Sequence, residues 1–228
     1  MAGSPRSAGP CATKAEGRSR VTARDWLAWH ADYDADTPLR HRLLAVQRRI
    51  REALDARPAG TVRVVSMCAG EGRDLLEVLA DHRRARDVRG RLVELDPELA
   101  SRAAAGAPAD VAVQIADAGS TDAYVGAVPA DLVLVCGVFG NLSDADIEHT
   151  VRSLPMLCAP GATVIWTRHR RPPDRTVDIR RWFTEAGFQP VAFDAPTDFE
   201  WSVGVQRFAG DPVPFVAGRR LFRFLAKG

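Results

Sequence analysis

The sequence of 228 residues has few cysteines, no long apolar run and almost no net charge. Its four cysteines lack paired metal-ligand spacing, so we predict no metal site, and unpaired thiols favour a reducing, cytoplasmic setting. No stretch approaches about 18 uninterrupted apolar residues, and residues 1–20 lack a hydrophobic centre. We therefore expect neither a transmembrane helix nor a secretion signal.

An excess of charge of one sign is also lacking. The 31 basic and 29 acidic residues leave a net charge of +2. So weak an overall field does not favour nucleic acid or a membrane surface as a partner. A monomer and a homodimer are both compatible with this composition.

The sequence does contain 46% hydrophobic residues, which is enough for one sizeable core. Residues 1–20 are basic and rich in proline and glycine, and we predict that they form a disordered tail. Residues 21–57 have helical spacing in their later part, which predicts an N-terminal helical segment. Residues 58–228 are then predicted to form one domain.

Within this domain, short β-like runs alternate with helical runs. The alternation predicts an α/β fold with a doubly wound, mostly parallel sheet and helices on both faces, because right-handed crossovers pack that way. Three β-like runs at 191–193, 201–208 and 221–225 have no helix-length gap between them, which predicts an antiparallel closing hairpin. Pro160 and Gly161 predict a turn before the fifth strand.

The segment "CAGEGRD" follows the first predicted strand and opens a helix. Ligands of open α/β sheets bind at such strand ends, and Gly70 and Gly72 allow the backbone to approach a ligand closely. A dinucleotide fingerprint would need glycine where Arg73 stands, and the Gly-Lys-Ser/Thr of a P-loop does not follow. Both of those nucleotide sites are therefore disfavoured.

The run Cys68-Ala69-Gly70-Glu71-Gly72 resembles the first motif of class I S-adenosylmethionine-dependent methyltransferases. That motif is an acid followed two places later by G-x-G-x-G, so this sequence departs from it at Ser66 and Cys68. The resemblance implies that all five residues of the run contact the cofactor.

The second motif is the acidic end of the next predicted strand, in "RLVELDPELA". The resemblance implies that Glu94 binds the ribose hydroxyls, with Leu95 also at the cofactor and Asp96 as the second candidate for the ribose. A carboxylate suits this role because it accepts two hydrogen bonds from a cis-diol. Asp96 before Pro97 is also typical of a helix N-cap.

Two more strand ends continue the resemblance. Asp117 and Ala118 would contact the adenine, and the turn after the fourth strand would line the methionine end with Cys136, Gly137, Val138 and Phe139. Four motifs in the family's order imply a seven-stranded, Rossmann-like methyltransferase domain at 58–228, with S-adenosyl-L-methionine as cofactor. They also imply a helical lid at 21–57 and a reversed last strand.

Candidate residues for the acceptor side lie at both ends of this pattern. Trp29, His30 and Tyr33 either belong to the lid over the substrate or bury one aromatic face on the core. Asn141 follows the fourth strand and either contacts the acceptor or simply makes a turn. His169 is the candidate general base and otherwise a solvated histidine, and Arg168 is a candidate anchor for an acidic substrate.

The sequence thus predicts a cytoplasmic methyltransferase that acts on a small molecule, at oxygen or nitrogen, by in-line transfer. The fourth strand ends in "CGVFGN" and not in the Asn/Asp-Pro-Pro-Tyr signature of nucleic-acid and protein amide N-methylation, which argues against that reaction. Two alternatives remain: an NAD-type oxidoreductase on a similar sheet, and a non-catalytic binding module that kept the nucleotide pocket.

Overall fold

The structure, a computed structural model, describes residue 1 and residues 37–225. Within them the α-helices are α1 (Pro38–Ala56), α2 (Arg73–Leu79), α3 (Pro97–Gly106), α4 (Asp144–Ser153) and α5 (Thr176–Glu185). The strands are β1 (Val62–Met67), β2 (Val88–Glu94), β3 (Val111–Ile115), β4 (Ala130–Val135), β5 (Cys158–His169), β6 (Phe188–Asp194) and β7 (Trp201–Phe208).

The described strands form one seven-stranded sheet in the order β3-β2-β1-β4-β5-β7-β6. Strands β1 to β5 pair in parallel, whereas β7 runs antiparallel to both of its neighbours, β5 and β6. The predicted mostly parallel sheet with an antiparallel last strand is confirmed. The strand order reverses between β1 and β4, and such a switch point opens a crevice at the carboxyl ends of the strands.

Both faces of the sheet are covered by helices, as predicted. Side chains of α1, α2 and α3 join one core cluster, for example Ile50, Leu75 and Ala103, and side chains of α4 and α5 join the other, for example Ile147 and Phe183. The central strands are apolar along nearly their whole length because each is buried on two sides. No helix of the described residues is long and apolar enough to cross a membrane.

Helix α1 is the later part of the segment 21–57. Thr37 caps it by accepting a hydrogen bond of 3.2 Å from the Arg40 N–H, and Pro38 suits its first turn. Its apolar side chains, Val46, Ile50 and Leu54, are buried in the core cluster on that face of the sheet. Residues 2–36, with the predicted tail and Trp29, His30 and Tyr33, lie outside the described residues, so the division into tail, lid and domain stays a prediction.

Two local predictions are wrong. Residues 221–225 form no strand and make one isolated bridge, Leu142 with Phe224. Leu221 and Phe222 are buried near the loops at the carboxyl edge instead of joining the sheet. Pro160 and Gly161 do not precede β5 but lie inside it, where the pairing with β4 shifts register. Gly161 has φ 71° there, so an irregularity within the strand takes the place of the turn.

Candidate functional site

The loop from residue 68 to residue 72 joins β1 to α2 at the carboxyl edge of the sheet. Three of its residues have a left-handed backbone, Cys68 with φ 52°, Gly70 with φ 57° and Gly72 with φ 71°. Cys68 stands where the family motif has its first glycine, and it adopts a conformation that favours glycine at a strain of about 1–2 kcal/mol. The loop therefore keeps the backbone course of a glycine-rich turn despite this substitution.

Hydrogen bonds tie the loop to the end of β2. The Ala69 N–H donates to the Val93 carbonyl at 2.9 Å, and the Gly72 N–H donates to the Ala69 carbonyl at 2.8 Å. A Cβ on Gly72 would lie 2.5 Å from Leu92 Cδ2 and 2.9 Å from Leu76 Cδ1. The absence of a side chain at Gly72 thus lets α2 pack closely on β2.

Glu94, at the end of β2, faces this loop. Its Oε2 accepts a hydrogen bond of 2.7 Å from the Gly70 N–H, and its Oε1 accepts bonds of 2.9 Å from the N–H groups of Leu95 and Asp96. Asp96 instead caps α3 by accepting from the N–H groups of Glu98 and Leu99. Only Glu94 of these two carboxylates is brought to the glycine loop, while the Leu95 side chain beside it is exposed.

Asp117 follows β3 and carries an ion pair that the sequence did not predict. Its Oδ1 accepts from the Gly119 N–H at 2.8 Å, and its Oδ2 lies 2.5 Å from Nη1 of Arg220. Ala118 next to it is buried, and its carbonyl accepts from the Tyr124 hydroxyl at 2.7 Å. The acid at the end of β3 is therefore held in place by a residue 103 positions away in the sequence.

Arg220 belongs to residues 218–225, here called the C-terminal strap. The strap crosses two loops at the carboxyl edge, because the Leu221 N–H donates to the Gly119 carbonyl at 2.7 Å and the Leu225 N–H donates to the Asn141 carbonyl at 2.9 Å. The sequence did not indicate a role for Arg220, because a short basic run such as Arg219-Arg220 usually lies on the solvated surface.

Two of the four residues predicted for the turn after β4 are closed to a ligand. Val138 and Phe139 are fully buried, main chain included, so only Cys136 and Gly137 are partly exposed. Gly137 has φ 74°, and its N–H donates to Oγ1 of the buried Thr167 at 2.8 Å. Burial also raises the pKa of the Cys136 thiol well above its ordinary value, which keeps it protonated.

The end of β5 packs against this turn. The guanidinium of Arg168 donates to the Phe139 carbonyl, and the His169 ring lies 3.8 Å from the place of a Cβ on Gly140. Asn141 donates through Nδ2 to the Gly137 carbonyl at 2.9 Å. The structure therefore brings together Arg168, His169 and Asn141, three of the residues predicted for the acceptor side.

Asp74, in the first turn of α2, is a further charged group near this edge that sequence reasoning missed. Burial raises its pKa from 3.8 to about 6, although the Leu75 N–H donates to its carboxylate at 2.8 Å. Its charge is felt by Cys136 at the end of β4. An acid directly after the glycine loop was the signal that could have identified it.

Comparison with known proteins identifies the fold. No protein-family profile and no curated protein sequence matches the chain. Solved structures do match. Magnesium protoporphyrin IX methyltransferase from Synechocystis PCC 6803, with bound SAM, has a TM-score of 0.64 at 11% identity over 84% of this chain and 95% of that one.

Two other solved structures are similar as well. The N-methyltransferase NodS from Bradyrhizobium japonicum WM9 has a TM-score of 0.57 at 16% identity, over 78% of this chain and 99% of that one, and it was also crystallised with S-adenosyl-L-homocysteine (SAH). A possible exported protein from Bordetella parapertussis has a TM-score of 0.62 at 20% identity, over 75% of this chain and 68% of that one. S-adenosylmethionine is thus a ligand of this fold, and the chain has the fold of the class I S-adenosylmethionine-dependent methyltransferases.

Proposed function

We propose that this chain is an S-adenosylmethionine-dependent methyltransferase that methylates a small molecule at oxygen or nitrogen. The observation that carries this proposal is the position of the Glu94 carboxylate, 2.7 Å from the Gly70 N–H at the switch point of the sheet. A ribose bound over the left-handed loop would find this carboxylate as its acceptor. Asp96 is the weaker candidate for the ribose, because its carboxylate already caps α3.

The residues at this edge fit the cofactor's three parts. Glu94 would hold the ribose, and Asp117, fixed by Arg220, would accept from the adenine amino group. The main chain of loop 68–72, with Cys136 and Gly137, would line the methionine end. When bound, the cofactor supplies an electrophilic methyl group for in-line displacement, and the protein contributes mainly orientation and exclusion of water.

His169 is our candidate for the proton acceptor. Burial, followed by the positive charges of Arg168 and Arg171, lowers the pKa of its imidazole below 6.5. The ring is therefore neutral near pH 7 and has a nitrogen free to take the proton that an oxygen or nitrogen acceptor loses. Asn141, within the same cluster of loops, is the candidate for a hydrogen bond to that acceptor.

Four observations support a small-molecule acceptor in the cytoplasm. The net charge is close to zero, and the cysteines in the described residues are free thiols. One structural neighbour, magnesium protoporphyrin IX methyltransferase, is named for a small-molecule acceptor. Helix α1 also starts at the carboxyl edge, where His41 stacks on Phe199 at 4.8 Å between ring centroids, so the described part of the predicted lid segment begins at the edge of the proposed site.

Isothermal titration calorimetry with SAH and with NAD tests this proposal. We expect SAH to bind and NAD not to bind, and tight binding of NAD alone would favour the oxidoreductase. Incubation with radiolabelled S-adenosylmethionine and a panel of phenols and amines then tests catalysis. SAH binding without transfer to any acceptor would favour the non-catalytic module.

A further inference from the structure

Buried polar atoms without a hydrogen-bond partner are concentrated at the carboxyl end of β5. The described residues contain seven such side-chain atoms, and five of them lie here. Arg168, Arg170 and Arg175 each contribute Nε, His169 contributes Nδ1, and Trp201, which pairs with His169 across β5 and β7, contributes Nε1. Buried groups of this kind are normally satisfied, so their concentration at one place points to a ligand that satisfies them.

The charges at this place are also unbalanced. The guanidinium of Arg168 donates to the Phe139 carbonyl, and that of Arg170 donates to the Phe199 carbonyl. Neither guanidinium has a carboxylate within ion-pair distance in the described part of the chain. By contrast, Arg171 pairs with Glu200 at 2.7 Å. A partly buried guanidinium without a counter-ion is unfavourable, and a bound anion would relieve this.

The other charged groups that act on Arg168 do not replace such an anion. Asp144 and Asp174 attract its charge from a distance, while Arg175 repels it. Asp144 is itself paired with Arg175 at 2.8 Å. Burial is the strongest influence on Arg168 and lowers the pKa of its guanidinium.

The position of Arg168 connects this charge to the reaction. Its guanidinium contacts the turn after β4, whose residues Cys136 and Gly137 we assign to the methyl end of the cofactor. The cofactor's own anion, the carboxylate of its methionine part, is already in place in the SAH-saturated protein, so an anion that binds at Arg168 there belongs to the methyl acceptor.

We propose that the acceptor carries a carboxylate or phosphate group, which Arg168 binds at the end of β5 with Arg170 beside it. A guanidinium suits this role because its planar fork of N–H donors matches both anions. This inference rests on the proposed methyltransferase function, and it adds the chemical class of the substrate.

Calorimetry on the SAH-saturated protein tests the inference with benzoate, phenyl phosphate and the neutral benzamide at constant ionic strength. We expect one of the two anions to bind at least about tenfold more tightly than benzamide, and the tighter anion identifies the group that the acceptor carries. Arg168→Gln should weaken anion binding by about tenfold or more. Arg168→Lys should lose less affinity, because it keeps the charge without the fork.

Arg171→Gln is the matched control, because it removes the same charge from an exposed residue of the same segment. Binding of both benzoate and phenyl phosphate no tighter than that of benzamide, or an equal loss in Arg171→Gln and Arg168→Gln, would overturn the inference. Circular dichroism of each variant shows whether a loss of binding is due to unfolding. The comparison of the three ligands on the wild-type protein tests the inference even if a variant does not fold. Failure of the wild type to bind SAH would overturn the proposed function instead, so the two failures are distinguishable.

Discussion

The Gly70 N–H and the Glu94 carboxylate form a hydrogen bond of 2.7 Å between the end of the first strand and the end of the second. This bond places one negative charge directly beside a left-handed loop. Under the proposed function, the backbone of Gly70 and the charge of Glu94 belong to a single binding surface, and variants at either position should lower cofactor affinity.

Glu94→Ala is predicted to weaken SAH binding by about 1.5–3 kcal/mol, because the ribose loses a charge-assisted pair of hydrogen bonds. This loss corresponds to roughly tenfold to a hundredfold in Kd, measurable by calorimetry. Asp96→Ala is the control. It should lower the free energy of unfolding by about 0.5–2 kcal/mol through the lost helix cap and leave SAH affinity nearly unchanged. A loss of affinity confined to Asp96→Ala would reverse the two roles.

Gly70→Leu is predicted to abolish SAH binding, because its side chain would occupy the surface against which the ligand lies. It should also lower the free energy of unfolding by about 1–2 kcal/mol, because Gly70 has a left-handed backbone. Gly72→Ala should act differently, since its Cβ would meet Leu92 at 2.5 Å. We expect it to lower the free energy of unfolding by about 1–3 kcal/mol. Urea titrations and calorimetry on both variants separate these effects, and unchanged SAH binding in Gly70→Leu would contradict the assignment of the loop.

Arg220→Ala is predicted to weaken SAH binding by several-fold, because Asp117 loses the partner that orients its carboxylate. Asp117→Asn should weaken binding as well, and the double variant should lose less than the sum of the two. S-inosylhomocysteine, which lacks the adenine amino group, is the diagnostic ligand. Wild type should bind it more weakly than SAH, and Asp117→Asn should reduce that preference. Equal effects of Arg220→Ala on both ligands would show a merely structural role for Arg220.

Asp74→Asn is predicted to change the pH dependence of stability. The pKa of Asp74 is raised from 3.8 to about 6, so its stabilising neutral form is fully present below about pH 4 and is lost as the pH rises through about 6. Above about pH 6 the wild-type protein contains a desolvated, charged carboxylate, which lowers its stability and which the asparagine variant lacks. Urea unfolding at several pH values should show the variant gaining stability relative to wild type between about pH 4 and about pH 7. A pH-independent difference would contradict this.

The local order of the chain could be predicted from the sequence. The alternation of strands and helices requires a parallel sheet, because strands joined by helix-length crossovers run in the same direction. Asp96 before Pro97 indicated the start of a helix, since both residues act within one turn of the backbone. The acidic ends of β2 and β3 and the glycine loop after β1 were also visible, because in a parallel sheet successive strands deliver their ends to one edge.

The sequence by itself thus determined the class of fold, the edge at which the site lies and the types of residue available there. Only the tertiary structure decided that Glu94, and not Asp96, meets the loop and that β7 lies between β5 and β6. It also decided that Arg220 holds Asp117, and that five side-chain polar atoms at the end of β5 are buried without a hydrogen-bond partner in the described residues. The physical reason is that these relationships depend on contacts between distant segments and on burial, which local spacing does not encode.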